Sequence, residues 1–364
     1  MYIVSTTLKS IENLGAERLA KRLRHMLRVI NWQRNLPLTT PVQSRLKIAH
    51  TGFRPSSYAL YELDIHDPSD YLPDTYYFDS THINGDLATR LLGDKFQFSS
   101  FLGRYLPVPR VLTLLDSGQV QPVAPEAPVQ DFETLLEQIE ACGGVFFKPN
   151  MGRKGQGVFE VRVSGASVLL DNRPINRNEL EQKLVQLDDY LVTARVKQAE
   201  YAAQIFPNSV NSLRLITMQD AEHGLSPFIA VATHRFGGLG SGPTDNVSRG
   251  GLHAEVDLVT GELGLAMHPP KGAFEPLIWH ERHPETGTPI RGVRIPHWEA
   301  IKEQLLETVQ RFPFLKHVGW DVVVSNEGFW VLEGNAKPAS APQMFHPYLK
   351  DPRVKQFYRN CGVL

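Results

Sequence analysis

The chain has 364 residues, of which 42% are hydrophobic and 21% charged, and its 38 Lys and Arg stand against 39 Asp and Glu. That composition excludes a wholly disordered chain, and the near-neutral charge excludes a surface built throughout to hold a polyanion. Two cysteines, Cys142 and Cys361, exclude a disulfide framework or a Cys-rich zinc site, no apolar run approaches the roughly 20 residues of a membrane span, and the start Met1-Tyr2-Ile3-Val4-Ser5 is too polar for a secretory signal.

The expectation is therefore a cytoplasmic protein of two or three lobes. From Ile11 to Asn35 the chain reads as an amphipathic helix. Leu19, Leu23, Leu27 and Ile30 recur at spacings of three and four, and Arg18, Lys21, Arg22, Arg24 and Arg28 take the other side. The plain reading is a packed leucine stripe with a solvated basic face. The sharper one is a basic surface for an acidic partner or an anionic membrane. Residues 36 to about 85, with short apolar stretches such as Tyr76-Tyr77-Phe78, read as a small irregular α+β region. Together with the helix they make a small α-rich N-terminal domain, residues 1–90.

A helix is expected from Gly85 to Tyr105, ending before Pro107 and Pro109 because residues before Pro avoid the helical region. Val108–Leu115 reads as a strand and Ser117–Gln130 as a Pro-rich loop. Asp131 is placed to N-cap the helix Phe132–Ala141, with Leu135, Leu136 and Ile139 on its buried side. Strands follow at Val145–Lys148 and Val158–Val163, then a helix at Glu179–Leu187. Further strands are expected at Tyr190–Val196, Ser212–Met218, Phe228–His234 and Leu252–Val256. Trp298–Phe312 is a helix with Ile301, Leu305 and Val309 on one stripe, and a hairpin joins Val318–Ser325 to Phe329–Asn335. The tail from Lys337 to Leu364 is expected to fold back onto the body. Helices and strands mix without strict alternation, which favours α+β over a doubly wound sheet.

Two segments carry chemistry. The first, Lys148-Pro-Asn-Met-Gly152-Arg153-Lys154-Gly155-Gln-Gly157-Val158, has glycines that let backbone N–H groups approach an anion, with Arg153 and Lys154 at its tip. It lacks the Gly-Lys-Ser/Thr ending of a P-loop. The period-two run Phe159-Glu-Val-Arg-Val163 after it is a strand, whereas a Rossmann turn opens a helix. A strand–loop–strand flap over phosphates remains, beside the plain reading of an ordinary glycine-rich hairpin.

The second segment is Gly319-Trp-Asp321-Val-Val-Val-Ser325-Asn-Glu-Gly328-Phe329-Trp-Val-Leu-Glu333-Gly-Asn335. A three-residue loop, Asn326-Glu327-Gly328, would set Ser325 opposite Phe329 and hence Asp321 opposite Glu333. Asn335, two residues on, shares their face. Opposed carboxylates among apolar neighbours repel at a cost. A hard cation such as Mg²⁺ would resolve the conflict, taking oxygen ligands from Asp, Glu and Asn. A solvated pair of acids is the plain alternative.

These pieces resemble the ATP-grasp superfamily, and within it the sugar-transfer-associated family related to α-L-glutamate ligases. The resemblance rests on the Lys148 strand and flap, Asn211-Ser-Leu-Arg214, Asp245-Asn246-Val-Ser-Arg249-Gly-Gly251, and Val318-Gly-Trp-Asp321 with Leu332-Glu-Gly-Asn335. It covers about residue 90 to about 345.

It implies a fold of two α+β lobes clasping ATP, one with the glycine flap at residues 91–196 and one with the metal hairpin at 197–364. It implies two magnesium ions on Asp321, Glu333 and Asn335. Phosphates would meet Lys95, Lys148 and the flap residues Gly152, Arg153, Lys154, Gly155 and Gly157. Adenine would sit against Thr193 to Val196, where many members carry Glu and this chain has Thr193-Ala194-Arg195. Ribose would meet Glu200. Arg249, Arg214, Arg235 and Asn246 would face the γ-phosphate and substrate, with Arg249 and Arg214 in catalytic roles. Arg214 reads equally as one half of a salt bridge. His280 and His283 read as loop residues near the substrate.

The activity implied is an ATP- and Mg²⁺-dependent ligase that joins a small-molecule carboxylate to an amine through an acyl phosphate, releasing ADP and phosphate. The family name points to amino-acid or amino-sugar-linked substrates, without nucleic acid. Two rivals are a small-molecule kinase on the same scaffold and a non-catalytic nucleotide-sensing peripheral protein using the basic N-terminal helix.

Overall fold

The computed structural model describes residues 2–36, 40–152, 155–165, 167–245, 250–269 and 277–364, with the backbone alone at 2–15, 17, 18 and 164. The chain divides into two compact units. One is Met1–Thr81 with Pro270–Leu277 and His346–Leu364, and the other is His82–Pro269 with Ile278–Phe345.

The first unit holds helices α1 (Tyr2–Arg34), α2 (Val42–Thr51), α3 (Pro55–Leu60) and α4 (Asp74–Ser80), and the C-terminal helix Pro352–Asn360. Its described residues contain no strand, which corrects the α+β reading of residues 36–85. Tyr76-Tyr77-Phe78 lies in α4, where Tyr76 meets His25 edge-on at 4.8 Å between ring centroids and Phe78 meets Trp32 at 6.3 Å. Those contacts with α1 override the strand preference of aromatic residues.

Helix α1 is longer than expected and faces the other way. The part of its basic side that carries Lys21 and Arg28, with His25, turns inward, while Arg22 and Arg24 stay exposed. The Lys21 ammonium donates to the carbonyls of Gly362 and Val363 at 3.0 and 2.8 Å. His25 Nε2 meets Asp79 Oδ2 at 2.7 Å, and Arg28 donates to Asp79 Oδ1 at 3.1 Å and to the Thr75 carbonyl at 2.7 Å. The leucine stripe expected to pack is exposed instead. Half-buried Asp79 needs cations and the last carbonyls of the chain need donors, and these demands select the strip of Lys21, His25 and Arg28.

The second unit contains two sheets. The first comprises β1 (Val111–Asp116), β2 (Gln119–Pro122), β3 (Val145–Pro149), β4 (Phe159–Ser164), β5 (Ser167–Leu170), β6 (Arg173–Ile175) and β7 (Tyr190–Ala194), ordered β2-β1-β7-β3-β4-β5-β6 and antiparallel throughout. Before it run α5 (Gly85–Gly93) and α6 (Lys95–Leu102), and within it α7 (Phe132–Ala141) and α8 (Arg177–Leu184). After it come α9 (Glu200–Ile205) and the second sheet: β8 (Ser212–Asp220), β9 (Leu225–Phe236), β10 (Leu252–Val256), β11 (Leu263–Met267), β12 (Trp279–His280), β13 (His317–Val324) and β14 (Phe329–Asn335). Its order is β12-β11-β10-β9-β8-β13-β14, again antiparallel, with α10 (Trp298–Arg311) packed on it. The fold class is α+β, as expected.

Each sheet packs one face against helices in an apolar core. In the first, Val145, Phe147, Val161 and Val192 pack with Leu135 and Ile139 of α7 and Leu180 and Leu184 of α8. In the second, Leu213, Leu215, Trp320 and Val322 pack with Leu92 and Phe98 and with Ile301, Leu305 and Val309 of α10. The opposite faces are left for chemistry.

Several boundaries differ from the sequence reading. The helix expected over Gly85–Tyr105 is two helices, broken at Asp94, which is extended (φ −95°, ψ 111°) and accepts from the Gln97 amide at 2.9 Å as an N-cap. The Pro-rich stretch contains β2, and β5 and β6 form an unforeseen hairpin turning on Asp171 and Asn172, both at positive φ. His280 belongs to β12 instead of a loop, and its imidazole is pushed down by burial and then by His283. His283 is buried, stacks on Phe206 and bonds the Gly237 carbonyl at 2.9 Å, so it holds the loop.

Candidate active site

In the first sheet the residues between the core positions share the other face. Lys148 and Phe146 on β3 pair with Leu191 and Thr193 on β7, and Phe146 pairs with Glu160 on β4. The Thr193 hydroxyl on this face is buried and meets no protein partner among the described residues. Glu160 is tied to Arg195 by an ion pair. Val196 is buried just past the strand, and Glu200 opens α9, exposed, with its amide donating to Asn326 Oδ1 at 3.0 Å.

The flap leaves β3 at Pro149. Gly155 and Gly157 sit at φ of +64° and +74°. A Cβ on Gly157 would lie 2.7 Å from the Tyr190 hydroxyl and 2.9 Å from the Pro149 ring, so this turn requires glycine. Arg153 and Lys154 lie outside the described residues. The flap root is clamped to α6. The Lys95 and Phe96 amides at the head of that helix donate to the Asn150 carbonyl (3.4 Å) and side-chain oxygen (3.0 Å), and the Lys95 ammonium donates to the Gly152 carbonyl at 2.7 Å. Asn150 and Asp94 thus satisfy the first amides of α6, which have no partner inside the helix.

On the second sheet Asp321 lies opposite Glu333 on β14 and opposite Arg214 on β8, with Asn335 opposite Gly319. The hairpin loop is longer than the three residues expected. Val324, not Ser325, faces Phe329, and the register slips by one between Asp321 and Val322, which restores the Asp321–Glu333 pair. The Asn335 side-chain amide lies 3.4 Å from Glu333 Oε1.

The cations around this pair are fixed. Arg214 binds both Asp321 oxygens, Nε to Oδ1 and Nη2 to Oδ2 at 3.0 Å. Arg235 reaches Asp321 Oδ2 at 3.1 Å and lies 3.4 Å from Asp245 Oδ2. Asp245 in turn accepts from the Ser212 amide at 2.8 Å and from its hydroxyl. Burial alone would raise the Asp321 carboxyl, but Arg214 and Arg235 outweigh it and hold it at about 2. Glu333 is pushed up by burial and by Asp321, against the pull of Lys95 and Arg214. Burial brings Lys148 down to about 8, with Glu333 opposing the shift and Lys95 adding to it. Lys148, Lys95, Glu333, Asp321, Arg214 and Arg235 therefore belong to one electrostatic cluster spanning the two sheets. Its donor set of two carboxylates and a carboxamide oxygen fits a hard divalent ion, and Glu333's raised carboxyl marks negative charge that the protein leaves incompletely offset.

Of the residues expected here, Asn246 and Arg249 lie outside the described residues. Sequence reasoning gave no role to three others. Asp245 and Ser212 complete the Arg235 array, and the signal for them was their place inside the two motifs Asn211-Ser-Leu-Arg214 and Asp245-Asn246-Val-Ser-Arg249-Gly-Gly251. His253 pairs with Arg235 across β10 and β9, its Nδ1 buried and unpartnered among the described residues. Burial, then the charges of Arg235 and Arg214, hold its imidazole down at about 3, hence neutral. A cavity of about 490 Å³ opens beside the flap end at Val158, walled by Asn172 and Arg173 on one side and Phe206, Asn208 and Gly238 on the other.

A family model described as sugar-transfer-associated ATP-grasp matches residues 78–357. No curated protein matches the chain. Among solved structures, N5-carboxyaminoimidazole ribonucleotide synthetase from Thermotoga maritima is 13% identical with a TM-score of 0.39, over 76% of this chain and 50% of that one. The ATP-grasp ligase PsnB, complexed with a minimal precursor, is 15% identical with a TM-score of 0.39, over 78% and 64%. D-alanyl-alanine synthetase A from Vibrio cholerae O1 biovar eltor is 12% identical with a TM-score of 0.40, over 74% and 64%. The chain thus spans between half and two thirds of the length of these structures.

Proposed function

The chain belongs to the sugar-transfer-associated ATP-grasp family, and from that membership we propose that it is an ATP- and Mg²⁺-dependent ligase joining a carboxylate to an amine. The observation that carries the reading is the Asp321–Glu333 pair, Asp321 buried and Glu333 half-buried, framed by Arg214 and Arg235 and within the electrostatic reach of Lys148 and Lys95.

Asp321, Glu333 and Asn335 would hold magnesium, which when bound offsets the charge of the transferring phosphoryl group. Lys148, Lys95 and the amides of Gly152, Gly155 and Gly157 position the phosphates, and Arg153 and Lys154 would add positive charge to them. Thr193 through Val196 takes adenine, the buried Thr193 hydroxyl supplying one free polar group, and Glu200 takes ribose. A substrate carboxylate oxygen attacks the γ-phosphorus as the bond to the β-phosphate oxygen breaks, giving an acyl phosphate and ADP. The amine then attacks the acyl carbon, phosphate leaves, and the amine proton passes to solvent or a base. Arg249, with Asn246, would steady the acyl phosphate, while Arg214 acts by fixing Asp321. The flap covers the site because an acyl phosphate hydrolyses in water. The domain limits 91–196 and 197–364 are proposed on the same basis.

The test supplies Mg·ATP with panels of carboxylates and of amines, including amino acids and amino sugars. ADP and inorganic phosphate should appear with a new amide by mass spectrometry. A phosphorylated product instead identifies a kinase. Absence of Mg·ATP uptake by calorimetry removes the reading.

A further inference from the structure

Helix α1 presents an exposed apolar stripe, Leu19, Leu23, Met26, Leu27 and Ile30, with Leu19 and Leu27 each 61% accessible. A helix docked on its own unit ordinarily hides such a stripe. Here the opposite face is committed, through Lys21, His25 and Arg28 to Asp79 and the last carbonyls of the chain. The unit's own contacts thus hold the helix with its apolar side outward.

The charges around the stripe say what covers it. Arg22 and Arg24, one residue either side of Leu23 and so about 100° around the helix from it in each direction, are both exposed. From Arg18 to Arg34 there are six Arg and Lys and no acid, in a chain whose net charge is −1. A second copy of this helix would set arginines against arginines. An apolar strip between cationic flanks suits a surface that is apolar beneath and anionic at its edge. We propose that this face of α1 docks on the surface of an anionic phospholipid bilayer, lying in the headgroup layer. No helix among the described residues is long and apolar enough to cross a membrane, so the contact is peripheral. This inference does not depend on the ligase reading.

The full chain is sedimented with vesicles of phosphatidylcholine alone and of phosphatidylcholine with an equal share of phosphatidylglycerol. It should bind the anionic vesicles and not the neutral ones, and added salt should weaken binding. Leu23→Glu with Leu27→Glu should lower partitioning by at least about tenfold. Arg22→Gln and Arg24→Gln should each lower it roughly fivefold. All four side chains are exposed, so thermal unfolding should match the parent chain, and a variant that matches it reports on docking alone. Failure to bind anionic vesicles at low salt, or parental binding by Leu23→Glu/Leu27→Glu, overturns the proposal. So does a dimer that this double variant disperses, which would assign the stripe to a second copy.

Discussion

Asp321 and Arg214 face each other across β13 and β8, and one guanidinium spans both carboxylate oxygens. The pairing keeps Asp321 ionised well below the usual carboxylate range, while its neighbour Glu333 is pushed toward holding a proton. One member of the acidic pair is therefore fixed by protein, and the other is left to be settled by what binds.

Arg214→Met should unfold more easily by about 3–5 kcal/mol, the cost of leaving a buried charge without its main partner, as read by denaturant titration. The acid side gives an independent signature. The Asp321 carboxyl is lowered from 3.8 to about 2, so its stabilisation is present above the higher value and lost as pH falls through the lower. The variant should lose stability at a higher pH than the parent. Equal acid midpoints in the two proteins would remove Arg214 as the cause.

Lys148, brought down to about 8 by burial, is only partly charged in mildly alkaline solution. Phosphate binding favours the ammonium form, so nucleotide binding takes up a proton above that value. Affinity for ATP measured by calorimetry should fall as pH rises through about 8, by up to about tenfold per pH unit. Lys148→Arg should flatten the profile, and Lys148→Met should weaken binding at every pH. A parental profile that is flat from about pH 7 to about pH 9.5 contradicts the placement of Lys148 on the phosphates.

Glu333→Gln separates stability from chemistry. Burial and Asp321 both disfavour the Glu333 anion, so a neutral amide of the same shape should leave thermal stability unchanged or raise it. Turnover with Mg·ATP should fall by about two orders of magnitude or more if this oxygen holds the cation, and raised magnesium should restore part of it. Undiminished ADP release would dismiss Glu333 as a ligand.

Much of this is legible in the sequence. Period two in Phe159–Val163 and the cap at Asp131 are local signals that local structure obeys. The Asp321–Glu333 pairing came from counting back from a turn set one residue off, and a bulge beyond it cancelled the error. Such compensation depends on packing across the whole hairpin. The orientation of α1 was unreadable for a related reason. Periodicity marks two faces, but which one turns inward depends on Asp79 and on the carbonyls of Gly362 and Val363, distant in sequence. The role of Asp245 and Ser212 was unreadable because Arg235 on β9 joins the head of β8 to a loop residue distant in sequence.

Asn150 offers a test of the flap that leaves the charged cluster in place. Its side-chain oxygen accepts from the Phe96 amide and its carbonyl from the Lys95 amide, so one residue joins the head of α6 to the flap root. Asn150→Ala removes only the side-chain half, leaving the Phe96 amide unsatisfied at a site that is nearly closed to water. A cost of about 1–2 kcal/mol follows, comparable to loss of a helix cap. The functional effect should exceed it. With the root loosened, the Lys95 ammonium is less firmly held at the Gly152 carbonyl, and the flap should close less completely over bound nucleotide. The measurable result is a shift in partition, with more ATP hydrolysed per amide formed as water reaches the acyl phosphate. Hydrogen exchange should quicken at the Phe96 amide. Parental coupling of ATP use to amide formation, combined with faster exchange, would mean that the clamp stabilises α6 without governing the flap.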